Sequence, residues 1–212
     1  MPATGVVMGA VESGRPVLAL QGGAPIRSAP LPAWPHFAAD EIEAVGAVLA
    51  SGKANYWTGG ACTSFEREFA AFVGTRYAVA LANGSVALEL ALHALGIRAG
   101  DEVIVPSRSF MATASCVVLR GARPVFADVD PVSGNLSAAA ARAVLTPRTR
   151  AIIAVHLAGW PCELDPLLEL ADEAGIKLIE DCAQSHGATY RGRVTGAIGH
   201  VGTFSFCQDK IM

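Results

Sequence analysis

The 212-residue sequence predicts an α/β domain built on a mostly parallel sheet sandwiched by helices. Three observations predict it. From Tyr77 onward, short continuous apolar runs alternate with segments of helical length, the pattern of βαβ units whose strands are covered on both faces. Hydrophobic residues make up 52% of the chain and charged ones only 17%, enough apolar surface for one large core. The strand-like runs also end in residues that carry chemistry, at the carboxyl ends where such sheets bind ligands.

Residues 1–35 are rich in Gly, Pro and Ala, with Pro25, Pro30, Pro32 and Pro35 closely spaced, so an irregular arm is expected. A helix then opens at Asp40, which forms a capping box with Glu43, and Ile42, Val45 and Leu49 share one face before Ser51-Gly52 stops it. Ser64 is the expected cap of a second helix, with Phe65, Phe69 and Phe72 on one side and Gly74 as its stop. Strands are expected over 78–81, 102–105, 124–127, 151–155 and 177–179, with helices over 84–95, 110–119, 137–145 and 163–174. After His186, residues 189–195 read as a Gly-turned hairpin and 201–206 as a further strand.

The formal charge of −3, with no Lys/Arg run, gives no footprint for nucleic acid or anionic lipid. The most apolar tract, 77–95, contains Asn83, Glu89 and His93 and is not a membrane span. Five cysteines without a paired or metal-ligand spacing, and an N-terminus without a basic n-region, suit reduced thiols in a cytoplasmic protein. No metal is expected, since His156, His186 and His200 are irregularly spaced; His156 and His186 read as hydrogen-bonding support.

The chemistry gathers in the last third of the chain. Lys210 lies just past a strand-like run with Ser205 upstream, placed as a reactive amine beside a phosphate ligand. Asp181 ends a buried-looking strand, with Gln184 following. A buried carboxylate needs a cation or several donors, and a protonated pyridine supplies the cation. A Schiff-base lysine paired with an aspartate is how proteins hold pyridoxal 5′-phosphate (PLP). Gly84, Ser85 and Val86 open a helix after an Asn-Gly turn and offer amides and a hydroxyl to a phosphate, while Phe110 is placed to lie on an aromatic ring. Each residue has an ordinary alternative: a serine cap, a core phenylalanine, an aspartate capping a turn, a surface lysine.

Taken in order, these stretches resemble the DegT/DnrJ/EryC1/StrS family of PLP-dependent sugar aminotransferases. The matching residues run from Trp34-Pro through Phe65-Glu-Arg-Glu-Phe69, Asn83-Gly-Ser-Val-Ala-Leu88, Val105-Pro-Ser-Arg-Ser-Phe-Met-Ala-Thr113 and Phe126-Ala-Asp-Val-Asp130. They continue through Val155-His-Leu-Ala-Gly159 and Glu180-Asp-Cys-Ala-Gln-Ser-His-Gly-Ala188 to Gly202-Thr-Phe-Ser-Phe-Cys-Gln-Asp-Lys210.

The resemblance implies the large domain of a fold-type I PLP-dependent transferase over 36–212, incomplete at its C-terminus and without the smaller C-terminal domain of the family. It implies that Lys210 forms the Schiff base, Asp181 holds the pyridinium proton, Gln184 contacts the ring hydroxyl and Phe110 stacks on the ring. Gly84, Ser85, Val86 and Ser205 would take the phosphate. The implied activity is transfer of an amino group from an amino acid, glutamate by resemblance, to a nucleotide-linked keto sugar in polysaccharide or antibiotic-sugar biosynthesis, by a homodimer of the full-length protein. Family dehydratases carry histidine in place of the lysine, so Lys210 points to transamination over a PLP-dependent sugar dehydratase. A non-catalytic PLP-binding fragment is the other alternative.

Overall fold

In the computed structural model of the protein, which describes residues 17–31 and 33–210, the apolar runs pair into a sheet. The strands are β1 (Glu102–Pro106), β2 (Arg123–Ala127), β3 (Thr149–Val155), β4 (Lys177–Asp181), β5 (Thr189–Tyr190), β6 (Arg193–Val194) and β7 (Val201–Thr203). Five of them form one parallel sheet in the order β2-β1-β3-β4-β7, and β5 pairs with β6 in a separate antiparallel ribbon. The α/β class read from the sequence is the one the chain adopts.

Alternation along the strands sorts the core onto two faces. Ile104, Ile152 and Leu178 point to one side, where Leu164, Leu167 and Leu170 of helix α6 (Leu164–Ala174) are fully buried against them. Val103, Val105, Ile153 and Ile179 point to the other, against α3 (Gly84–Ala94) and α4 (Ala112–Leu119) through Leu88, Leu92, Cys116 and Val117. Each fully buried leucine or isoleucine contributes roughly 1.5–3 kcal/mol relative to exposure. The remaining helices are α1 (Ala39–Ala50), α2 (Ala61–Val73) and α5 (Ala138–Ala143). Two glycine-dependent stops appear as expected: α2 ends at Gly74 with φ 85°, and the ribbon turns through Arg191 and Gly192, both at positive φ.

Four local expectations fail. Residues 78–81 belong to no strand, since among the described residues they make no strand pairing. Helix α1 is capped by Glu41, whose carboxylate accepts the Ala38 N–H at 2.6 Å, and not by an Asp40–Glu43 box. Helix α2 starts at Ala61, so Ser64 lies within its first turn and Gly60 holds the cap position. The last strand stops at Thr203, three residues short of the expected end.

The chain divides into two compact units, Met1–His36 and Phe37–Met212. Among the described residues of the first, a single 3-10 turn at Ala19–Gln21 closes with Gly23 donating to the Leu18 carbonyl, and the rest of their course is irregular. Residues 1–16 and Pro32 of the expected arm lie outside the described residues.

Candidate active site

The strand order reverses at β1, since the chain runs from β1 outward to β2 and then returns to β3 on the other side. In open α/β sheets such a reversal leaves a crevice beyond the carboxyl ends of the strands. Phe110 follows β1, His156 follows β3, Asp181 ends β4 and Ser205 follows β7, so the candidate residues all sit on this rim.

Asp181 is buried, 6% exposed. Its Oδ1 accepts the Ala183 N–H at 3.1 Å and its Oδ2 accepts the Thr113 hydroxyl at 3.2 Å. It takes part in no ion pair found among the described residues. Burial pushes its carboxyl above the usual range, against the pull of the two hydrogen bonds and the charge of Lys210. A buried acid with two donors and no paired cation is an acceptor held ready for a positive group.

Lys210 is half-buried in a turn that its own N–H closes onto the Cys207 carbonyl at 2.9 Å. Its Nζ lies 5.9 Å from the centre of the Phe110 ring, within cation–π range. Phe110 itself is 67% exposed, which is unusual for a large apolar side chain between a core strand and a core helix.

The other end of the rim is built by the N-terminus of α3. Asn83 caps it by accepting the Val86 N–H at 3.0 Å. Val86 is thus already engaged, and the amide of Ser85 with its exposed hydroxyl remains for an anion. Gly84 packs on Ser205, and a Cβ on it would come within 2.8 Å of the Ser205 Cβ. A cavity of about 820 Å³ opens beside them, between residues 77–84 and the strand β7 with Phe204–Cys207.

Gln184 also supports the rim. Its Oε1 accepts the Ala158 N–H at 2.7 Å, holding a loop residue at φ 52°, and its amide nitrogen is left to donate. His186 packs among Phe204 and Phe206, with ring centroids 5.5 and 5.1 Å away, and burial lowers its basicity.

Beneath the rim lies a support that the sequence reading missed. Glu180 is fully buried and accepts N–H bonds from Gly196, Ile198 and Gly199 at 2.6–2.8 Å. It also meets His156 Nε2 at 3.1 Å, and the Cys162 N–H at 3.1 Å from Nδ1 makes Nδ1 the acceptor, so the His156 proton sits on Nε2. Burial alone would raise Glu180; the bonds from His156, Gly196 and Gly199 overcome it and leave the carboxyl below its ordinary value. Cys182 completes a compact trio with His156 and Glu180. Since both histidine nitrogens and both carboxylate oxygens are committed to hydrogen bonds, this trio is structural. Thr113 and Ser109 were also missed, because a threonine inside Ala112-Thr-Ala-Ser-Cys reads as ordinary helix filling.

A family model for the DegT/DnrJ/EryC1/StrS aminotransferases matches residues 35–212. The chain belongs to this family. Among family relatives, the L-glutamine:2-deoxy-scyllo-inosose aminotransferase of Streptomyces paromomycinus is 45% identical over 200 residues, covering 92% of this chain and 47% of the relative. The aminotransferase of Psychrobacter cryohalolentis, known by X-ray structure, matches at 55% identity and TM-score 0.85 over 86% of this chain and 46% of its own. A Streptococcus pneumoniae protein, provisionally described as a sugar aminotransferase and solved in a PLP form, matches at 30% identity and TM-score 0.80 over 84% of this chain and 48% of its own. The fold is therefore the fold-type I arrangement of PLP-dependent aminotransferases. The chain spans about half the length of the relatives it matches.

Proposed function

We propose that residues 37–212 form the cofactor-binding domain of a PLP-dependent aminotransferase that moves an amino group from an amino acid onto the ketone of a sugar or sugar-derived ring. The observation that carries this reading is Asp181: a buried acid at a strand end, held by two donors and lacking a paired cation. The donor set fits PLP at both ends of the rim. Asp181 accepts from a protonated ring nitrogen, and the α3 N-terminus with Ser85 and Ser205 receives the phosphate dianion. Phe110 offers a ring face, Gln184 an amide donor, and Lys210 the amine that holds the cofactor covalently.

When bound, PLP supplies an electron sink for charge that develops at the substrate carbon. The chain does the rest. Asp181 would keep the ring nitrogen protonated, an interaction strengthened by the burial of its own carboxylate. Lys210 Nζ, when not bonded to the cofactor, would be the base that takes and returns the proton at that carbon. Phe110 limits tilting of the ring and shields it from water.

The relative named for L-glutamine and an inosose supports an amide-bearing amino acid as donor and a cyclic ketone as acceptor. Glutamate with a nucleotide-linked keto sugar is the other combination to test. Incubation with PLP, each donor and each ketone, followed by mass spectrometry, decides the reading. An aminated product that requires Lys210 supports it; loss of a hydroxyl without amination would indicate a dehydratase, and no product with intact PLP binding would indicate a binding domain.

A further inference from the structure

We propose that Thr113, backed by Ser109, is a positioning residue that fixes the Asp181 carboxylate for a cationic ring nitrogen and ties it to Phe110. The inference rests on the reading of Asp181 given above. Thr113 is 1% exposed on α4, and its hydroxyl lies 3.2 Å from Asp181 Oδ2 and 2.6 Å from the Ser109 hydroxyl. An ionised carboxylate only accepts, so Thr113 must donate to Asp181, and its oxygen then accepts from Ser109. The three groups form a chain with one direction. Such chains polarise and strengthen each bond in a dry setting.

Thr113 also donates its backbone N–H to the Phe110 carbonyl at 3.1 Å. One residue therefore holds the acid expected at the ring nitrogen and the main-chain turn that carries Phe110. Its own helix is anchored in the core by Cys116 and Val117, so the contact is rigid. A threonine with only a packing role in a helix turns its hydroxyl to the carbonyl of its own preceding turn. Here the hydroxyl reaches a residue 68 positions away in the chain.

The charged and titratable groups around Asp181 come from every side: His156 after β3, Lys210 after β7, the Cys116 thiol on α4 and the Cys182 thiol after β4. None of them is a hydrogen-bond partner of its carboxylate. The Thr113 hydroxyl and the Ala183 N–H are its two donors.

The test uses the full chain with PLP and four variants: Thr113→Val, Thr113→Ser, Ser109→Ala and Asp181→Asn. Cofactor affinity is read from fluorescence quenching, and the acid-side midpoint from the absorbance of bound PLP titrated with pH. Thr113→Val should weaken PLP binding about tenfold and raise the acid-side midpoint by about one pH unit, the effect of losing one hydrogen bond to a charged group. Thr113→Ser should restore both values, and Ser109→Ala should shift them in the same direction by less. If Thr113→Val matches wild type while Asp181→Asn loses the cofactor, the inference fails and the site reading survives. If Asp181→Asn also matches wild type, the site reading fails and takes the inference with it. Should Thr113→Val not fold, Ser109→Ala carries the test, and an unchanged midpoint there overturns the proposal.

Discussion

Gly84 and Ser205 touch across the rim so closely that a methyl group on Gly84 would stand 2.8 Å from the Ser205 Cβ and 3.3 Å from the Phe204 carbonyl oxygen. The first turn of α3 and the segment after β7 can form one anion site only because no side chain separates them. Gly84→Ala should push the two apart by several tenths of an ångström and weaken binding of PLP by about tenfold or more, while binding of pyridoxal, which lacks the phosphate, changes little. Equilibrium titration with the two vitamers checks this.

Asp181 should make the cofactor-free protein less stable at neutral pH. Burial raises its folded-state carboxyl above the ordinary value of 3.8, so its favourable contribution belongs to the protonated form and is lost as pH rises through the folded-state value. Asp181→Asn removes that penalty. Thermal melts without PLP should show the variant above wild type at pH 7 and level with it below about pH 4. Addition of PLP should reverse the order at pH 7, because only wild type is stabilised by binding.

Glu180 has the opposite sign. Its folded-state carboxyl lies below the ordinary 4.5, so the stability it contributes is present above that pH and is lost as pH falls through the folded-state value. Glu180→Ala leaves three backbone N–H groups without their acceptor and should cost on the order of 3 kcal/mol at pH 7. In urea melts the gap from wild type should narrow under acid conditions.

Thiol chemistry should divide the cysteines by depth. Burial pushes Cys116 and Cys162 up to about 12 and Cys182 well above its ordinary value, whereas Cys207 is exposed and Cys62 half-buried. At pH 8, iodoacetamide followed by peptide mapping should label Cys62 and Cys207, with the other three labelled only after denaturation.

The parts of the fold legible in the sequence are those in which one residue pattern has one solution. Runs such as Val103-Ile-Val105 and Ile152-Ile-Ala154 are apolar on both faces, as central strands are, and both lie in the sheet. The run 78–81 has the same composition, yet pairing depends on a neighbour that local pattern does not encode. The face shared by Ile42, Val45 and Leu49 was likewise readable as a helix face, but all three are more than 60% exposed, since periodicity fixes a face and not what covers it. At the site, Asp181 and Lys210 stood out because charged residues at the ends of apolar runs are costly. Thr113, Ser109 and the Glu180 cage did not, because their partners lie far away in the chain and their residue types are common in helices and loops.

The central claim is that Lys210 is the amine that holds PLP in this chain. Borohydride reduction after incubation with PLP, followed by peptide mass mapping, tests it directly. The account predicts a pyridoxyl adduct on the Lys210 peptide alone, absent from Lys210→Ala. A folded chain that gives no adduct, or gives one scattered over surface lysines and unchanged in Lys210→Ala, would contradict it.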